Sequence, residues 1–173
     1  MPKKGNTPRP LRVTVTCSLL VAVSVVCGKF LQFPVGEALR FSFENLPILL
    51  GGMVFGPLAG ALTAVVADLI GCLAVGYAIN PLVTLGAAAI GFIGGLTYRL
   101  VWKLPLGWRI ALSVAAAHLI GSVVIKTFGL AQFYTLPFGA LMLWRLLNYV
   151  IVGTAEALLL TVLLKNKTLR ALL

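Results

Sequence analysis

Apolar stretches recur from one end of this 173-residue chain to the other, and most of the charged residues fall between them. An α-helix needs about 20 such residues to cross the hydrocarbon of a bilayer, because every backbone N–H must find its acceptor inside the segment. With 60% of residues hydrophobic and 10% charged, a compact domain would have too little polar surface for water to wet, so the chain belongs in a membrane. A secretory signal would give one apolar run near the start followed by a small-residue cleavage site. Here the runs continue and no such site comes after the first, which reads as mature protein behind a short head.

The runs place helices at 11–31, 41–55, 57–76, 81–103, 109–127 and 138–165, the second of them short. Residues 45–67 carry no charge, and whether they form one span or two turns on Gly56-Pro57. A proline after a glycine makes a tight turn and a pre-set first helical residue. With a break there the chain crosses six times, and ten cations share one side: Lys3, Lys4, Arg9, Arg12, Arg99, Lys103, Arg109, Lys165, Lys167 and Arg170. Without it, the last six of those cations move to the other side. The positive-inside rule selects six crossings with both termini cytoplasmic. The expectation is therefore an all-α integral membrane protein: a cytoplasmic tail over 1–10, a six-helix bundle over 11–165 and a cytoplasmic tail over 166–173.

Topology also accounts for most of the net charge of +10, which in a soluble domain would have suggested nucleic acid. Cys17 and Cys27 are ten residues apart on one helix, about 15 Å by helical rise, too far for a disulfide. No Cys or His pair has metal-ligand spacing, and no metal site is expected.

Four cations fall outside the topological pattern, Lys29, Arg40, Lys126 and Arg145, and all map to the outer half together with Glu37, Glu44 and Asp68. Ionisable groups at such depth face protein or water, so an outward-facing polar basin is expected. The segment 32–45, QFPVGEALRFSFEN, is an outer loop or half-buried helix that could serve as a lid or as an interfacial aromatic belt. Asp68 needs a cation or donor, either Lys29 or Arg145 or the ligand itself. In WRLLNYVIVGTAE, Arg145, Asn148 and Tyr149 share a helix face with Glu156 three turns on, and Trp144 stands beside them. Tyr77 and Asn80 lie between helices 3 and 4, and Lys126, Phe128, Gln132 and Tyr134 between helices 5 and 6. Cations alternating with aromatics suit a flat anionic molecule, with Arg145 as its main partner. Arg40 and Lys126, placed near the aqueous edge, are expected to contribute less. His118 reads as a hydrogen-bonded core histidine. Ser18 and Ala22, like Gly91 and Gly95, stand four apart and mark close helix approach. No phosphate-binding loop and no catalytic triad or carboxylate pair is present, so any ATP is hydrolysed by another chain and no enzyme is expected.

The run RFSFENLPILLGGMVFGPLAGALTAVVADLIG, over residues 40–71, resembles the second and third helices of energy-coupling-factor (ECF) transporter substrate-binding subunits, and of their folate-specific branch in particular. The GP turn, the ADLIG stretch, LLVAVSVVCGKF in helix 1 and the Arg145–Glu156 spacing carry the resemblance over nearly the whole chain. It implies a multi-pass plasma-membrane protein that binds a vitamin, most simply folate, from outside. It implies partners as well: a second membrane subunit with coupling helices and two cytoplasmic ATPases, with Ser18 and Ala22 as the docking face. Pantothenate, thiamine, riboflavin or a queuosine precursor are the alternative ligands. A lipid-acting membrane enzyme would need an acid or His cluster at an interface, and a stand-alone transporter would need two-half symmetry; neither is visible.

Overall fold

A computed structural model describes residues 9–35, 39–134 and 137–166, with side chains placed over 11–33, 41–132 and 137–166. Helix α1 (Arg9–Val25) runs into a π-wound turn at Val26–Phe30, and a hairpin of β1 (Phe33–Val35) and β2 (Leu39–Phe41) comes after it. Next come α2 (Asn45–Phe55), α3 (Pro57–Ala74) and α4 (Pro81–Leu100). Helix α5 (Leu106–Ala117) continues through a π-wound segment, His118–Lys126, into α6 (Thr127–Tyr134), and α7 (Phe138–Lys165) closes the described chain.

Among the described residues five helical stretches are long and apolar enough to cross a membrane: Leu11–Phe30, Pro57–Ala74, Pro81–Leu100, Leu106–Gln132 and Phe138–Lys165. The eleven residues of α2 reach only about 16 Å, roughly half the hydrocarbon thickness. Two boundaries differ from the sequence expectation by more than three residues. The segment ahead of α2 is a β-hairpin that pairs Phe33 with Phe41, so α2 starts at Asn45 and not at Phe41. The fifth span runs past Thr127 to Gln132 because TFGLA offers no proline or charge to stop it. Residues 36–38, including Glu37, and both terminal tails lie outside the described residues.

Proline sets the starts of four helices. It is the first residue of α3 and α4 and the residue before α5 and α7, positions where a missing N–H costs nothing. At the α2–α3 turn Gly56 takes a φ of 110°, which side-chain-bearing residues resist, and its N–H closes on the Gly52 carbonyl at 3.0 Å.

Helix α4 is the hub, packing on α2, α3, α5, the second π segment and α6. It approaches α2 and α3 backbone to backbone: a Cβ added at Gly52 would lie 2.5 Å from the Gly91 carbonyl oxygen, and one at Gly60 2.6 Å from that same atom. In lipid no hydrophobic drive brings helices together, so this contact of small residues is what lets them pack. Leu49, Ile90 and Ile110 fill the core between the helices with no exposure, while Leu58, Leu62, Leu73, Leu147 and Val162 point outward as a lipid-facing coat.

The two ends of the bundle differ in charge. At one end Arg99 donates to the Phe55 carbonyl at 3.3 Å, tying the α2–α3 turn to the α4–α5 loop, and the Arg109 guanidinium lies 4.0 Å over the Tyr98 ring. At the other end Asn80 donates to the Gly129 carbonyl at 3.0 Å. The positive-inside rule predicts that the Arg99–Arg109 end is cytoplasmic. A single cysteine at Lys103, in a background without Cys17, Cys27 and Cys72, should resist an impermeant maleimide in intact cells and react once they are permeabilised; the reverse order would invert the topology.

Candidate functional site

Four charged side chains from four elements surround one small cavity at the end opposite the basic loop: Lys29 of the first π turn, Glu44 just ahead of α2, Asp68 of α3 and Lys126 at the end of the second π segment. Winding five residues per hydrogen-bonded turn inserts a residue into the α period, which re-aims the side chains beyond the insertion by about 100°. The Leu31 amide bonding back to the Val26 carbonyl at 3.0 Å marks the first of these turns. Both lysines are therefore aimed by π winding.

Each charge in the cavity has a partner. Lys126 Nζ lies 3.3 Å from Glu44 Oε1, and Lys126 is only 5% exposed. The Thr84 hydroxyl donates to Asp68 Oδ2 at 2.6 Å, a partner from α4 that sequence reading missed because a lone threonine in an apolar helix gives no signal. The Ser24 hydroxyl donates to the Glu44 backbone carbonyl at 2.7 Å and fixes the chain entering α2. Lys29 Nζ stands 5.6 Å from the centre of the Tyr77 ring, within cation–π range. Ile48, Ala64, Ala67 and Ala87 form the apolar wall. The cavity volume is about 20 Å³, enough for about one water.

A second polar line descends α7. The Arg145 guanidinium sits 5.4 Å from the centre of the Tyr149 ring, donates to its hydroxyl at 3.2 Å and reaches the Ser122 carbonyl at 3.3 Å. The Thr127 hydroxyl donates to that carbonyl too, also at 3.3 Å. Tyr149 stacks on His118 with ring centres 4.8 Å apart, and His118 Nε2 meets Glu156 Oε2 at 2.6 Å, with Nδ1 3.1 Å from the Ser122 hydroxyl. This pair is deeply buried and holds α5's extension against α7. A larger lateral groove of about 610 Å³ runs along the same two elements, and none of its lining side chains is a lysine, arginine or carboxylate.

The structure thus brings Lys29, Asp68 and Lys126 together, with Tyr77 beside Lys29, and adds Glu44, Thr84 and Ser24. Several expectations change. Lys126 is buried and ion-paired where the aqueous edge was expected, because the fifth span continues past it. Asn80 caps α4, accepting from the Leu82 and Val83 amides at 3.0 and 3.4 Å, so its oxygen is committed to the helix start. Trp144 is 57% exposed on the outer face of α7, away from the cavity. Arg145 is committed to Tyr149 and the Ser122 carbonyl, and Asn148 is buried on the same helix; neither lines the cavity. Asp68 takes its hydrogen bond from Thr84, with Lys29 across the cavity. The Arg40 and Tyr134 side chains lie outside the described residues. Ser18 and Ala22 are both exposed on α1, the Ser18 hydroxyl satisfied by the Thr14 carbonyl at 2.9 Å, as two small residues among the exposed Val15, Leu19 and Val26.

A family model described as the substrate-specific component of ECF transporters matches residues 12–172. The fold is similar to the crystal structure of FolT bound with folic acid, with a TM-score of 0.68 and 26% identity over 85% of this chain and 89% of that one. It is also similar to the S component of a bacterial ECF transporter, with a TM-score of 0.68 and 20% identity over 91% and 95% of the two chains. A comparison with curated protein sequences returns no match.

The cap assignment is open to test. Asn80→Ala should lower stability by about 1 kcal/mol, the usual cost of a lost N-cap, read as a lower melting temperature of the detergent-purified protein. An unchanged melting temperature would remove the cap role.

Proposed function

This chain belongs to the family of ECF transporter substrate-specific components, and on that premise we propose that it captures folate at its outer side and delivers it through an ATP-driven module formed by other subunits. Members of the family are multi-pass plasma-membrane subunits that bind a vitamin for import and are not enzymes. The finer assignment to folate is supported by the charged cavity between α1, α2, α3 and the second π segment, where Lys29 and Lys126 supply cations and Asp68 an acceptor beside apolar walls. The likeness to FolT bound with folic acid is the second support. The glutamate tail of folate carries carboxylates that these lysines can meet, which makes the cavity the station for that end of the molecule.

With Lys126 in the cavity and Arg145 engaged on Tyr149, the carboxylate partner of first importance is Lys126. Lys126→Met should weaken folic acid binding about tenfold or more, the equivalent of one charge-assisted hydrogen bond at roughly 1.5–3 kcal/mol. Titration calorimetry of the detergent-purified subunit measures this. A parent protein that binds thiamine or riboflavin and not folic acid overturns the vitamin assignment.

The partner module is expected to meet α1 at Ser18 and Ala22, since two helices can approach and slide where side chains are small. Replacing both by Leu should abolish co-purification with a membrane coupling subunit and its ATPases, and with it uptake, while leaving ligand affinity of the isolated subunit intact. Unchanged co-purification would move the docking face elsewhere.

A further inference from the structure

The folate reading gives Lys29, Asp68 and Lys126 tasks and leaves Glu44 without one, although Glu44 is the group that Lys126 actually holds. Its carboxylate meets the ammonium at 3.3 Å, with the Lys126 side chain 6% and the Glu44 side chain 28% exposed. Two further contacts fix it there. The Ser24 hydroxyl bonds its backbone carbonyl at 2.7 Å. On the other side the chain passes over Gly28, where an added Cβ would come 2.8 Å from Glu44 Cβ and 2.7 Å from Oε2, so Glu44 can lie in this position only because residue 28 has no side chain.

Around the cavity the formal charges cancel, two ammonium groups against two carboxylates, and the free space of about 20 Å³ admits one water beside them. At Lys126 an incoming carboxylate therefore does not meet a bare cation. It reaches Lys126 only by replacing the carboxylate already present. We infer that Glu44 is a built-in surrogate for the ligand's carboxylate: it holds Lys126 until an anionic ligand arrives, and it is then displaced into water by rotation of its own side chain.

The exchange trades one carboxylate for another on the same ammonium, so a ligand without a negative group has nothing with which to drive it. Glu44 is thereby a specificity-determining residue that excludes neutral molecules from the lysine and sets the affinity that an anion must exceed. The inference rests on the reading of Lys126 as the ligand's carboxylate partner and extends it.

Calorimetry on the purified subunit with two probes, folic acid and the simple dicarboxylate glutarate, tests it. Glu44→Gln should bind each probe at least threefold more tightly than the parent, and Glu44→Asp, which keeps the competing charge, should stay close to the parent. Gly28→Ala, which forces the carboxylate off Lys126 by sterics, should tighten binding in the same direction and serves if the Gln variant cannot be recovered folded. Unchanged or weaker binding of both probes by the variants overturns the inference. A parent that ignores folic acid, beside a Gln variant that gains affinity for glutarate, overturns the vitamin assignment and leaves the surrogate role standing.

Discussion

A charge held at membrane depth needs an opposite charge or a hydrogen-bonding partner beside it, and this bundle is organised around that requirement. Lys126 would be costly in the wall of an apolar bundle; with Glu44 at 3.3 Å it becomes a neutral pair. Asp68 is met by a threonine hydroxyl at 2.6 Å, and Glu156 by His118 at the same distance. Because the two partners of each pair come from different parts of the chain, the pairs also tie the entry to α2 and the length of α7 to the second π segment, and α3 to α4. Hydrocarbon supplies no force of its own that favours one packing of apolar helices over another, so directional contacts like these select it.

The backbone contact between Gly52 of α2, Gly60 of α3 and Gly91 of α4 makes the cluster possible from the opposite direction. Three helices meeting without side chains between them bring α4 close enough for Thr84 to reach Asp68. The short α2 has the complementary effect. At about 16 Å it ends well inside the bilayer, so the residue that precedes it, Glu44, enters at depth and can face Lys126.

Much of this was legible in the sequence. Apolar runs and the Gly56-Pro57 step placed the helices, and Lys29, Asp68 and Lys126 stood out because charges are rare in such runs. Their companions did not. Thr84 and Ser24 are ordinary residues of apolar helices whose importance comes from what another helix sets opposite them, and periodicity carries no information about that. The contacts of Arg145, Asn80 and Trp144 were not legible for a related reason: a polar residue near a helix end can serve a ring, a helix start or the lipid interface as readily as a ligand, and only packing separates these roles. The hairpin at Phe33–Phe41 was hidden because two three-residue strands are too short to show an alternating pattern.

Both lysines of the cavity are delivered by π-wound backbone, and this bears on how the chain could change length over time. A π turn is equivalent to one residue inserted into an α-helix. Deleting one residue ahead of the lysine in Val26–Phe30 or His118–Lys126 would take a residue out of the π winding and turn the lysine by about 100°, away from the carboxylates. The Ser122 carbonyl, which now accepts from the side chains of both Arg145 and Thr127, would be drawn back toward an ordinary helical amide. In these two stretches the number of residues carries the wiring of the site as much as their identity does, so a substitution that spares the lysines would be milder than a one-residue gap several positions away.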